Sequence, residues 1–203
     1  MPGSNVVQKF FGPSPIRSIV SRIMSASLRP FEGPAGPDLE IRRNERLVIH
    51  RSAVRPEWID YNGHMNVAYY LLAFDLALDA LFDRIGLTQP YRKAHGVSTF
   101  ALEVHLCYIR EVGPVDPLRF EVQMLDLDEK RFHFLIFLFD DATDEPCATA
   151  EWISAHMDMT TRRMAPFRAD IRAPLEKIRE AHRDMPWPDQ AGRKIGIRRR
   201  TVS

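Results

Sequence analysis

WIDYNGHMNVAYYLLAFDLALDALFDRIG, residues 58–86, decides the fold. From about Asn66 to Ile85, apolar residues fall at Val67, Tyr70, Leu71, Phe74, Leu78, Leu81, Phe82 and Ile85. Steps of three and four recur, the spacing of one helical face. Ala68, Leu72, Ala73, Leu76, Ala77 and Ala80 occupy the other faces, so the helix has little polar surface and has to be buried on most sides. Asn66 is placed to cap its start and Gly86 to end it.

On both sides of this helix the period drops to two. Leu47, Ile49 and Val54 before Pro56 read as a first strand. In Val97–Ile109 one face reads Phe100, Leu102, Val104, Leu106, Tyr108 and the other Thr99, Ala101, Glu103, His105, Cys107. Leu118, Phe120, Val122 and Met124 alternate with Arg119, Glu121 and Gln123. Phe132, Phe134, Ile136 and Leu138 alternate with Arg131 and His133, and Cys147–Met159 is a last strand. Short turns between them predict an antiparallel meander. A helix apolar on most sides needs a sheet curled around it. The expected class is therefore α+β with a hotdog fold: a long central helix wrapped by a curved antiparallel sheet of about five strands, plus a short C-terminal surface helix over Ile171–Arg183.

Three regions follow: a leader and linker over 1–45, the hotdog domain over 46–168, and a C-terminal helix and basic tail over 169–203. Residues 1–31 carry Lys9, Arg17, Arg22 and Arg29 and no acid. They read as a plain leader, or a start placed too early with Met24 as one true start; the other reading is an organellar transit peptide. A chain of 203 residues with 45% hydrophobic content can build a real core, and a formal net charge of +1 gives no field that argues for nucleic acid. No apolar run approaches a membrane span. Cys107 and Cys147 both sit in strand-like runs and read as small core residues, which points to a reducing compartment: the cytoplasm, or an organellar matrix if the basic segment is a transit peptide.

Asp60 is the candidate catalytic group. Asp-x-Asn-Gly is a good turn in its own right, and on that reading Asp60 and Asn62 only shape the helix entry. The other reading rests on the bulk of Trp58, Ile59 and Tyr61 around the acid, and on a helix N-terminus whose free N–H groups can hold an oxyanion. Pattern alone leaves both open. His64 reads first as a residue that fixes the loop and second as one that orients Asp60 or touches substrate. Asn66 reads first as the helix cap and second as a group that positions water. Asp75 shares the stripe of Leu71 and Leu78, where a charge needs a partner. Glu103, His105, Arg131, His133 and Glu151 fall on the polar faces of their strands, a solvated face or a dimer seam. The seven His show no zinc-binding spacing, so no metal is expected.

Asp60, Gly63 and Tyr70 resemble the signature of hotdog acyl-CoA thioesterases of the hydroxybenzoyl-CoA thioesterase type. EVHLCYIREVGPVDPLRFEV, KRFHF and ATAEWISAHMDMTTRRMAPF further resemble the betainyl-CoA thioesterase branch associated with carnitine breakdown, over about residues 46–168. The resemblance implies Asp60 as nucleophile or general base, a backbone amide near Val67 as oxyanion donor, and Asp75 as support for the loop. It implies coenzyme A as part of the substrate with no other cofactor, and a homodimer or homotetramer with sites at the seam. Arg110, Arg131, Arg162 and Arg163 then become candidates for the CoA phosphates. For a quaternary ammonium acyl group, Trp58, Tyr61, Tyr69, Phe74 and Trp152 are candidate cage aromatics, with Gly63 and Tyr70 also beside substrate. Two rivals are a non-catalytic acyl-CoA or small-ligand binding module on the same fold, told apart by release of CoA thiol, and a hotdog dehydratase, which the Asp-x-x-Gly-His order fits poorly.

Overall fold

The computed structural model describes residues 39–197. Strand β1 (Leu47–Ala53) leads through a single 3-10 turn, Pro56–Trp58, to helix α1 (Val67–Arg84), followed by a short helix α2 (Gln89–His95). Four long strands come next: β2 (Val97–Tyr108), β3 (Pro117–Leu127), β4 (Arg131–Asp140) and β5 (Glu145–Asp158). A two-residue β6 (Arg163–Met164) and helix α3 (Ala169–His182) complete the set. The sheet order is β1-β3-β4-β5-β2, antiparallel throughout, with β6 on β5. This is the expected hotdog arrangement. The order leaves β1 and β2 at opposite edges, which a meander of hairpins alone would not produce: β2 pairs with β5, not with β3.

The helix forms where its period placed it. Asn66 caps it, accepting the Ala68 N–H on its side-chain oxygen at 3.0 Å, and Gly86 leaves it at φ +85°. Phe74, Ala77, Leu78 and Leu81 bury against the concave face of the sheet. That face is lined with stacked rings, Phe132 on Phe134 at 4.9 Å and Phe134 on Trp152 at 6.3 Å. Phe74 meets Phe120 edge-on at 5.7 Å. The helix is not buried all round, however. Leu71, Asp75, Asp79 and Asp83, spaced by four, form an exposed stripe.

Two expectations about the strands need correction. The apolar face assigned to β2 is split by a bulge. Ala101 pairs with Ser154 and Glu103 with Ile153, so Leu102 has no counterpart. Upstream of it, Thr99 and Ala101 share the concave side with their partners His156 and Ser154; downstream, Val104 and Leu106 do. Second, β4 is buried on both faces: Leu135 and Phe137 are as enclosed as Phe134 and Ile136. Their cover comes from outside the sheet.

Arg46, just before β1, lies over the Phe137 ring at 3.9 Å, and the segment after α3 crosses the row of Gln123, Leu135 and Glu151. Ile171, Leu175 and Ile178 of α3 belong to the core cluster, so α3 is an integral part of the domain rather than a surface helix. The start of the domain also lies further upstream than residue 46. Leu39 is buried in the core, and the Asn44 N–H donates to the Ala181 carbonyl at 2.9 Å. Residues 39–45, expected as linker, pack against α3; the rest of the leader lies outside the described residues.

Candidate active site

Residues 58–66 fold into a miniature hairpin. The Asn66 N–H donates to the Trp58 carbonyl at 2.8 Å, Ile59 and Met65 form a bridge, and the Asp60 N–H donates to the His64 carbonyl at 3.0 Å. The turn closes on Gly63 at φ +84°, a conformation that favours glycine. The Asp60 carboxylate is half-buried and takes the Asn62 N–H on one oxygen at 2.8 Å. Asp60 therefore does shape the turn, and its second oxygen has no hydrogen bond among the described residues. The hairpin is pinned from outside by Met65, whose N–H donates to the Val112 carbonyl at 2.9 Å.

Asn66 ends the hairpin and begins α1, so the first-turn amides open on the same side of the domain as the loop. Val67 is the first helical residue, 58% exposed, where an N–H has no partner within its own helix. By the hairpin pairing, Asp60 lies three rungs from Val67, roughly 10 Å along the backbone at ~3.3 Å per residue. No direct hydrogen bond joins them among the described residues.

The remaining candidates sort by burial. Trp58 is 1% exposed and stacks on Tyr69 at 5.8 Å, forming a wall behind the loop. Phe74 and Trp152 are core residues, not cage walls, because the apolar concave face claims them. Their expected contact with substrate is corrected accordingly. Tyr61 is 95% exposed. Tyr70 is buried edge-on against Tyr108 at 5.2 Å, and burial pushes its phenol up despite a backbone hydrogen bond at Val112. It anchors the helix start rather than presenting a hydroxyl. His64 does not orient Asp60; its Nδ1 lies 3.3 Å from the Glu111 carboxylate, partly exposed. Asn66 serves as the cap. Asp75 is corrected too. It stands on the exposed stripe of α1, away from the loop, with its carboxyl raised by desolvation and pulled back by Arg92. Of the candidate arginines, Arg110 pairs with Asp140 at 3.0 Å and Arg131 with Asp128 at 2.6 Å, both within the fold.

Two neighbours escaped the sequence reading, and a third was named only as a strand residue. Val112 and Glu111 sit in an unpatterned connection whose role is a carbonyl and one ion pair, which no periodicity reveals. Tyr108, whose hydroxyl lies 3.4 Å from the Val67 carbonyl, ends the inward face of β2 and was visible as its last aromatic residue.

Residues 54–175 match the profile of the Thioesterase-like superfamily. The chain belongs to this family. It is 39% identical over 151 residues to a betainyl-CoA thioesterase of Pseudomonas aeruginosa, covering 74% of this chain and 95% of that one. It is 34% identical to an L-carnitine dehydrogenase/betainyl-CoA thioesterase of Rhizobium meliloti, covering 84% of this chain but only 34% of that longer protein. Among solved structures, the hypothetical protein SAV2348 of Staphylococcus aureus in complex with CoA superposes with a TM-score of 0.72 at 25% identity, over 79% of this chain and all of that one. A putative thioesterase of Pseudomonas putida KT2440 superposes with a TM-score of 0.66 at 33% identity, over 76% and 99%. The thioesterase is thus an acyl-CoA thioester hydrolase on a hotdog fold, and both the binding-module and dehydratase readings fall away.

Proposed function

We propose that this thioesterase hydrolyses betainyl-CoA, or another small polar acyl-CoA of that kind, to the free acid and CoA. The observation that carries the reading is the hairpin: an acid with one free carboxylate oxygen on a loop that feeds directly into the N-terminus of the central helix, in a chain 39% identical to a betainyl-CoA thioesterase. Asp60 acts as nucleophile on the thioester carbonyl, or as the base that draws a proton from the attacking water. The carbonyl oxygen, gaining charge, is held by the Val67 amide and the positive end of the helix; one such donor is worth ~3–4 kcal/mol. The leaving thiolate, with a pKa of ~8.5 if it behaves like a cysteine, departs without a dedicated proton donor. One carboxylate and one helix end therefore suffice, and no cofactor beyond the CoA of the substrate enters the scheme.

The quaternary ammonium of a betainyl group would meet Tyr61 and Tyr69 rather than the buried Trp58, Phe74 and Trp152. Exposed Val67, Leu71, Leu102, Tyr108 and Ile109, beside the open β2 edge, support a homodimer as the working form. Both cysteines are free, which supports a reducing compartment, the cytoplasm, as the site of action; no helix among the described residues is long and apolar enough to cross a membrane. The deciding experiment is a panel of acyl-CoAs scored by thiol release. Betainyl-CoA should give the highest kcat/KM, well above its neutral isostere dimethylbutyryl-CoA; equal turnover of the two refutes the substrate.

A further inference from the structure

A cavity opens on the convex face of the sheet, away from α1. Its floor is the convex side of β2 and β5, and its roof is the segment that follows α3. Three contacts lay that segment across the strands as a strap. The Gln123 side-chain amide donates to the Pro186 carbonyl at 3.0 Å. Trp187 meets the His133 ring at 6.0 Å. The Gly192 N–H donates to one oxygen of Glu151 at 2.8 Å, while the other oxygen holds His133 Nε2 at 2.8 Å. Gln123, Leu135, Glu151 and His105 form one cross-strand row, and Leu135 in its middle is fully buried. Between the strap and the β2 edge a volume of about 640 Å³ stays open, within the range of small-molecule sites.

The walls of this space have a definite chemistry. Glu151 is spent on the strap and on His133. Arg193 and Lys194 on the roof, and His105 on the floor, form no ion pair among the described residues. Ile153 and Ile195 supply an apolar side. Glu103, also at the wall, is the one acid left without a salt bridge there. With Glu151 already hydrogen-bonded, Arg193 and Lys194 are the unpaired cationic donors for one carboxylate, and Glu103 and Glu151 both repel a dianion.

We propose that this cavity is a second ligand site, separate from the thioester site, that takes a small carboxylic acid with a short apolar body. Its carboxylate is gripped by Arg193 and Lys194 with His105 as a further donor, and its apolar part lies on Ile153 and Ile195. The inference stands independently of the substrate proposed above.

The test uses the full chain and butyrate as probe, followed by the NMR shift of the Gly192 amide. A saturable shift with millimolar affinity is expected. The double variant Arg193→Ala/Lys194→Ala should weaken it by about tenfold or more, the equivalent of ~1.4 kcal/mol, while Asp60→Asn should leave it unchanged. No saturable shift, unchanged affinity in the double variant, or loss in Asp60→Asn would each overturn the site. Inorganic phosphate binding as tightly as butyrate would overturn the carboxylate assignment. Thiol release by Asp60→Asn reports separately on the catalytic reading, so the two can fail apart.

Discussion

The two faces of the sheet are built by different logics. The concave face is covered by one helix close in sequence to the strands it touches, and its residues alternate with the pleat: Phe120, Val122, Phe134, Ile136 and Ala150 all face α1 or its neighbours. The convex face carries Gln123, His133, Glu151 and His105 among apolar residues, and is covered only in part by a strap tied down through polar groups. One face is held by area, the other by a few directional bonds. The first is therefore costly to perturb at any point, and the second fails at named contacts.

The sharpest separation is catalytic. Asp60→Asn should lower turnover by about 10³-fold or more, ~4 kcal/mol of barrier, with the circular dichroism and melting curve of the parent; full activity in the variant removes Asp60 from the mechanism. Phe134→Ala, on the concave face, should cost ~3–5 kcal/mol in denaturant unfolding. Truncation after Asp184 should cost less, ~2–3 kcal/mol, by uncovering Leu135, and should leave kcat/KM close to that of the full chain. If truncation abolishes activity instead, the two faces are coupled and the comparison fails. Asn66→Ala should cost about 1 kcal/mol from the lost cap, with a fall in kcat rather than a rise in KM, since the Val67 amide proposed as oxyanion donor sits in the turn that the cap orders.

The smallest effect is a pH dependence. His182 at the end of α3 accepts the Met124 N–H on Nδ1 at 2.9 Å, so it has to be neutral at that atom. Burial lowers its pKa, with the Arg46 charge adding to that and a backbone hydrogen bond at Glu45 opposing it. A histidine with a depressed folded pKa contributes stability that is complete above its unfolded value near 6.5 and is lost as pH falls from there toward the folded pKa. His50, lowered by burial, acts in the same sense. Asp75, Asp79 and Asp83 act oppositely: burial raises their pKa values, so protonation as pH falls relieves a cost. Melting temperature should drop by a few degrees between pH 7.5 and 5.5 (~1 kcal/mol in a domain of this size), and His182→Gln should flatten that slope.

The hotdog order, the caps of the helix and the concave face were legible because each follows from a local period. What stayed hidden followed from contacts distant in sequence or from a shift of one residue. Leu135 and Phe137 looked like half of an alternating strand because what lies over them is distant in sequence: Arg46 over Phe137, and the segment after α3 across the row that holds Leu135. The bulge at Leu102 leaves no mark in composition, yet it moved an entire face. In the loop, Asp60, Gly63 and Asn66 were readable as turn, φ and cap. The burial of Trp58 and Trp152 was not, because an aromatic near a site in sequence carries no sign of which way it points.

The kink at Leu102 also bears on how this protein avoids fibres. The β2 edge carries free backbone groups over a long run, which would invite open-ended stacking of copies. With an unmatched residue near its middle, a strand laid alongside can stay in register over only half the edge, Val97–Ala101 or Glu103–Tyr108. That favours a closed pair related by a two-fold axis, which ends growth at two chains, over a ribbon that adds subunits without limit.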